Sequence, residues 1–190
     1  LNPKEVSWFS HGTTVGINTV IQRSGAELAL FVTSGFEDVL EVARLKVPDP
    51  YNIFSRRANP LVPRERVFGI SQRILKDGSI DSDLNEDTVK LALKSAKDMG
   101  SDTIVIALLH SYANNKHERR IREIINSIEP EMAVTLSSDV WPVIREYERT
   151  VTTTVAGYVQ RRVANYLTAF QNALKSAGIP AIPMIGKSNG

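Results

Sequence analysis

Thr103-Ile104-Val105-Ile106-Ala107-Leu108-Leu109 decides the fold class, because the run is apolar on both alternating faces, as a strand covered by helices on each side must be. Ahead of it, Leu84-Asn85-Glu86-Asp87-Thr88-Val89 carries a helix N-cap with a hydrophobic staple. Val89, Leu93 and Ala96 then recur at helical spacing until Gly100 stops the helix. Four further apolar runs, Val6 to Phe9, Leu28 to Val32, Ala133 to Leu136 and Ile182 to Ile185, also alternate with helix-like segments. The pattern predicts βα units, an α/β fold and a mainly parallel sheet.

Residues 46–84 break that rhythm. Pro48, Pro50, Pro60 and Pro63 fall close together, and Asp77-Gly78 joins two short strand-like runs with a hairpin signature. The expected organisation is a core lobe of residues 1–45 and 85–190 with a Pro-rich insertion or small subdomain over 46–84. From Pro142 onward, Ile144, Tyr147, Val151, Val155, Tyr158, Tyr166, Phe170 and Leu174 trace one stripe of a long C-terminal helix that ends at Gly178 and Pro180. Thr150-Val151-Thr152-Thr153-Thr154 and Gly157 lower its local propensity, so a kink or break is expected there.

With 42% hydrophobic and 23% charged residues, the composition is that of a globular protein. A formal charge of +2, with Lys and Arg interspersed among acidic residues, gives no stripe for nucleic acid. The sequence has no cysteine, which excludes disulfides, thiolate chemistry and Cys-ligated zinc and agrees with a cytoplasmic setting. It has no transmembrane-length apolar run and no signal-peptide pattern, so no membrane partner is expected. The first residue is Leu1, without an initiator Met, and the chain is accordingly expected to be a piece of a longer protein.

Small polar residues follow each apolar run: His11-Gly12-Thr13, Thr33-Ser34-Gly35, His110-Ser111-Tyr112, Ser137-Ser138-Asp139 and Ser188-Asn189-Gly190. Ligands of open α/β sheets bind outside the carboxyl ends of the strands, so these turns form the expected site edge. Helix capping alone would also place Ser, Thr and Asp there, but not His after two strands. In His11-Gly12-Thr13-Thr14 the glycine permits close approach of a ligand, either threonine can cap a helix, and the free N–H groups of the first turn favour an anion. His11, His110 and His117 show no metal-ligand spacing. Ala181 to Ser188 only approximates a phosphate-binding loop and reads instead as a strand. Arg145-Glu146-Tyr147-Glu148-Arg149-Thr150 puts Glu146 and Thr150 on one helical face and Arg145 and Arg149 on the next, a balanced pattern that a solvated surface would also show.

Taken in order, His11-Gly12-Thr13-Thr14 with Asn18, Gly35-Phe36-Glu37-Asp38-Val39-Leu40-Glu41, Leu61-Val62-Pro63-Arg64-Glu65-Arg66, Leu109-His110-Ser111-Tyr112 with His117-Glu118, and Arg145-Glu146-Tyr147-Glu148-Arg149-Thr150 resemble the N-terminal region of the hydantoinase A, 5-oxoprolinase and acetone carboxylase family. The resemblance runs from about residue 6 to the end. It implies an actin-like ATPase lobe of the sugar-kinase type, ATP with Mg as cofactor, a small cyclic amide substrate and a second enzyme subunit as partner. The family's Asp-x-Gly-Gly-Thr phosphate loop is not in this sequence. On chemistry and position, His11, Glu146 and Arg149 are the candidate catalytic residues, with Glu146 and Arg149 either orienting the site or bracing the domain. Gly12, Thr13, Thr14, Asn18, Arg44, Arg64, His110, Ser111, Asn189 and Gly190 are the candidate substrate or phosphate binders. The alternative reading is a non-catalytic α/β domain that docks to a partner subunit.

Overall fold

The computed structural model describes residues 2–44, 49–55 and 59–186. In chain order the main elements are β1 (Phe9–Gly12), α1 (Val15–Ile21), β2 (Leu28–Thr33), α2 (Val39–Val42), β3 (Val67–Ile70), β4 (Arg73–Ile74), β5 (Ile80–Ser82), α3 (Glu86–Asp98), β6 (Thr103–Ala107), α4 (Lys116–Ile128), β7 (Ala133–Leu136), α5 (Ser137–Val140), α6 (Glu146–Ser176) and β8 (Pro183–Gly186). They fall into two compact units, one of residues 26–158 and one of residues 1–25 with 159–190, the boundary lying within α6.

The larger unit is built on a four-stranded parallel sheet in the order β3-β2-β6-β7. All six residues of β2 and all five of β6 are buried, which explains their unbroken apolar runs. One face of the sheet, carrying Ala29, Phe31, Ile104 and Ile106, packs on Val89, Leu93 and Ala96 of α3 and Ile121, Ile124 and Ile125 of α4 in a single core cluster. Asn85 caps α3 as the sequence predicts, its side chain accepting the Asp87 N–H at 3.0 Å, and Gly100 follows the helix at φ +77°.

The opposite face receives α6, which approaches at Gly157. A β-carbon there would stand 2.7 Å from Val105 Cγ2 and 3.4 Å from Thr135 Oγ1. The helix runs unbroken through the Thr-rich stretch, contrary to the expected break, because close packing on the sheet outweighs local propensity. Thr153 Oγ1 also donates to the Arg149 carbonyl, a helix-compatible bond for a β-branched residue. Propensity alone favours Gly157→Ala by about 1 kcal/mol. The overpacking reverses the sign, and the substitution is expected to destabilise the protein by about 1–3 kcal/mol in a urea titration. A stabilised variant would show that the contact relaxes freely.

Two further expectations are corrected. The region 46–84 is not simply an insertion: β3 lies within it and pairs in parallel with β2, Phe68 opposite Phe31 and Gly69 opposite Val32. Gly69 fits because a β-carbon would collide with the Glu37 carboxylate. The same stretch does contain the predicted hairpin, β4 pairing antiparallel with β5 around Gly78 at φ +85°. Nor do the five apolar runs share one sheet. In the smaller unit β1 and β8 form a separate two-stranded parallel sheet, with His11 opposite Ile185 and Gly12 opposite Gly186. The run Ile182 to Ile185 is thus a strand, as read from sequence. The helix ends where Gly178 turns to φ +72° and Ile179 N–H returns to the Leu174 carbonyl.

Candidate functional site

The strand order sets where a ligand is expected. The chain moves from β2 to β3 on one side and then to β6 and β7 on the other, so the topological switch lies between β2 and β6, at whose carboxyl ends α/β sheets bind ligands. A small cavity of about 10 Å³ lies there, room for no more than a water-sized group, lined by Thr33 from β2, Leu109 after β6, Phe36, and Glu146, Arg149 and Thr150 from α6.

Among the described residues Arg149 is the largest fully buried side chain, 1% exposed, so its helix face is not the solvated one that the sequence pattern allowed. Its guanidinium donates from NH1 to the Val143 carbonyl at 2.7 Å and from NH2 to the Leu108 carbonyl at 2.8 Å, and it lies over the Tyr112 ring. Burial lowers its pKa, opposed by the negative charges of Glu146 and Glu118. Its Nε has no partner, and neither does the buried Oε1 of Glu146, 4.0 Å from NH1. The side chains of Ser24, Ser101, Ser138, Glu148 and Thr154 also carry buried atoms without a hydrogen-bond partner, and the Arg149–Glu146 pair differs from them in joining an unmatched donor and an unmatched acceptor at the switch point.

Behind the cleft stands Glu118, wholly buried in the first turn of α4. Its Oε1 accepts from Leu108 N–H and Ser137 Oγ, its Oε2 from Ser138 N–H, and Ser137 is in turn bonded to Ser111 at 2.9 Å. The carboxylate therefore ties together the ends of β6 and β7. His110 takes φ +58°, a conformation uncommon for a residue with a side chain, and its Nδ1 is 3.4 Å from Tyr112 Oη. On the β2 side, Thr33 Oγ1 accepts both Leu109 N–H at 2.9 Å and Gln72 Nε2 at 2.6 Å, while Gln72 Oε1 meets His117 Nδ1 at 3.0 Å. Burial lowers the His117 pKa despite Asp83. This histidine therefore opposes folding as the pH falls below its ordinary value, where the unfolded chain binds the extra proton.

Of the residues singled out in the sequence, the structure joins Glu146, Arg149, His110 and Ser111 to this edge. Arg44 and Arg64 are engaged elsewhere, Arg44 with Glu148 and Arg64 with Asp38 and the Val67 carbonyl. Those bonds hold the Glu148 carboxyl below its ordinary pKa and raise the Arg64 guanidinium, so both cations already have counter-charges. Thr33 belongs to a turn that the sequence placed on the site edge, whereas Gln72, His117 and Glu118 were not assigned to the site from sequence. The available signal was a Glu on the same helical stripe as Ile121 and Ile125, where an apolar residue is expected.

His11, Gly12, Thr13, Thr14 and Asn18 lie in the smaller unit. His11 and Gly12 belong to β1 rather than to a turn, because they continue the pairing with β8. The turn is Thr13-Thr14: Thr13 Oγ1 accepts Val15 N–H, and Thr14 Oγ1 accepts the Asn18 side-chain amide, each at 3.2 Å. Gly12 faces open space. His11 Nε2 is 2.5 Å from Tyr166 Oη, and its ring stacks on Phe170 at 4.6 Å. His11→Ala is therefore expected to lower stability by about 1–3 kcal/mol. Paired melting and kinetics on the full-length protein check this: a tenfold fall in kcat/KM with an unchanged Tm would instead place His11 in the reaction. Asn189 and Gly190 lie outside the described residues.

Glu118 and Glu146 stand against one guanidinium whose two terminal nitrogens are already committed to carbonyls. Among the described residues no group of three His, Asp or Glu side chains could hold a metal ion, and no helix is long and apolar enough to cross a membrane.

Residues 1–129 match the family model of the hydantoinase/oxoprolinase N-terminal region. The chain is 34% identical to the acetophenone carboxylase gamma subunit of Aromatoleum aromaticum, over 95% of this chain and 26% of that protein. Its fold matches the crystal structure of the ATP-dependent caprolactamase from Pseudomonas jessenii with a TM-score of 0.86 and 30% identity, over 96% of this chain and 26% of that one. It also matches nucleotide-free acetone carboxylase, from a study of ATP-dependent acetone carboxylation, with a TM-score of 0.78 and 32% identity, over 89% of this chain and 26% of that one. The chain thus spans about a quarter of the length of these relatives. With the mainly parallel α/β sheet and the motifs along its length, these matches place the chain in the hydantoinase/oxoprolinase N-terminal family.

Proposed function

We propose that this chain is the N-terminal region of an ATP-dependent enzyme that opens a small cyclic amide, a reaction of the hydantoinase and 5-oxoprolinase type, carried out in the cytoplasm on an actin-like ATPase fold. The observation that carries the reading is the unmatched pair at the switch-point cleft. Arg149 Nε–H is a donor without an acceptor and Glu146 Oε1 an acceptor without a donor. A carbonyl oxygen and the adjacent N–H of one amide satisfy both, and the guanidinium then opposes the negative charge that grows on the oxygen during attack by water. Glu118, His110 and Ser111 hold the surrounding turns, and the two Thr residues of the smaller unit remain candidate binders in their own turn. ATP and Mg are assigned to other parts of the full-length protein, and a second subunit is the expected partner, in keeping with relatives named as subunits.

The test is ATP hydrolysis by the full-length protein, alone and with its partner subunit, against hydantoin, 5-oxoproline, neutral lactams and ketones with bicarbonate. The expected result is ATP turnover coupled to ring opening of one cyclic amide, with none from the isolated 190-residue chain. Turnover only with a ketone and bicarbonate would replace hydrolysis by carboxylation. Failure with every substrate would leave the docking-domain reading.

A further inference from the structure

Tyr147, Val151, Thr154 and Val155 recur every three or four residues and form a stripe of α6 beside the one that carries Arg149, Thr150 and Thr153 to the sheet. Packing leaves part of that second stripe unfilled. A pocket of about 280 Å³ opens between it and Leu40, Ala43 and Leu61, with Asn59 and Pro60 completing the lining. A cavity of about 150 Å³ already holds benzene, so there is room for a single ring or a short chain. No lining residue carries a charge at neutral pH. Arg44 and Glu148, next in sequence to Ala43 and Tyr147, are bonded to each other at 2.9 Å, so a charged ligand would give up its hydration without gaining a free counter-charge. Thr154 is the most deeply buried of the lining residues, 3% exposed, and its Oγ1 has no hydrogen-bond partner, whereas its neighbour Thr153 donates to the Arg149 carbonyl. Ala43, at the end of α2, is held at φ +50°, a conformation that is costly for a residue with a β-carbon and that collects at ligand sites.

We infer that this pocket is a ligand site, separate from the switch point, for a small neutral carbonyl compound with an aliphatic body: the carbonyl oxygen accepts from the Thr154 hydroxyl and the carbon frame packs on Leu40, Leu61, Val151 and Val155. Apolar walls with one polar group are the usual make-up of a small-molecule site, the walls supplying affinity and the polar group orientation. The hydroxyl proton of Thr154 gains the acceptor it lacks in the free protein, and a ligand without a charge leaves nothing unmatched in return. The inference does not depend on the cyclic-amide reading, because binding here requires neither ATP nor turnover.

The test is a titration of the full-length protein, without nucleotide, with cyclohexanone and δ-valerolactam as neutral probes and 5-oxoproline as the charged one, followed through 13C-labelled leucine and valine methyl groups. The expected result is a saturable shift of the Leu40, Leu61, Val151 and Val155 methyls with both neutral probes at or below about 10 mM, and none at those methyls with 5-oxoproline. Val155→Phe fills the pocket and is expected to abolish the shifts. Thr154→Val keeps the shape of the side chain, removes a hydroxyl that is unmatched in the free protein, and is expected to melt no lower than wild type while binding either probe about three- to tenfold more weakly. It carries the test where Val155→Phe folds poorly. No saturable shift in the wild-type protein overturns the site, as do shifts that persist in folded Val155→Phe. Equal binding of 5-oxoproline overturns the neutral class, and wild-type affinity in Thr154→Val overturns the role of the hydroxyl.

Discussion

Replacing Glu118 by Leu is expected to lower the stability of the protein by about 3–5 kcal/mol, the cost typical of removing one member of a buried charged network. Leucine is of comparable size, so little of the loss comes from a cavity. It comes from Leu108 N–H, Ser138 N–H and the Ser137 hydroxyl, which lose their common acceptor at a buried position, each at about 1–3 kcal/mol before relaxation. Arg149 also loses a nearby negative charge. Urea denaturation gives the measurement directly, as a shift in midpoint at constant slope. Glu118→Gln keeps an acceptor oxygen and is expected to cost roughly half as much, because its NH2 group must face at least one existing donor. A leucine variant that melts with the wild type would show that the three donors find other acceptors and that Glu118 does not organise this edge.

Arg149→Lys in the full-length enzyme is expected to reduce kcat/KM by about 10²–10³-fold, the range seen when a single preorganised donor to a developing oxyanion is removed. The charge is retained, but a lysine ammonium cannot bridge the Val143 and Leu108 carbonyls while aiming a further N–H into the cleft, as the planar fork of arginine does. The loss should fall mainly on kcat, with the KM for ATP unchanged, since the nucleotide is assigned to another part of the protein. A stability measurement in parallel separates site from scaffold. Wild-type turnover by a folded Arg149→Lys protein would remove Arg149 from the reaction and leave it as a brace between α6 and the end of β6.

The sequence revealed those features whose physics is local. The apolar run at Thr103 to Leu109 is a central strand because no face of it tolerates water, and Asn85 with Gly100 brackets α3 because capping and left-handed geometry are properties of single residues and their neighbours. The Asp77-Gly78 hairpin and the long stripe of α6 were legible for the same reason. The ordered motifs were sufficient to recognise the family.

The site was legible only in outline. The turns after β2, β6 and β7 could be named as a ligand edge, but whether β1 and β8 joined them depended on a pairing between the two ends of the chain. β3, short and interrupted by Gly69, carries too little alternation to be distinguished from a loop until Phe31 and Phe68 are seen side by side. Tertiary packing also overruled propensity at Gly157, where the sequence suggested a break and the sheet required a close approach. Charge was the least legible quantity. Arg149 and Glu146 had the spacing of a surface ion pair, and Arg44 and Arg64 looked free to bind an anion. The sequence by itself determined which segments become strands and helices, because backbone preference and hydrophobic period act over a few residues. Only the tertiary structure decided which charges were buried and which hydrogen bonds were left open, because the carbonyls of Leu108 and Val143 and the carboxylates of Asp38 and Glu148 reach their arginines through the folded chain.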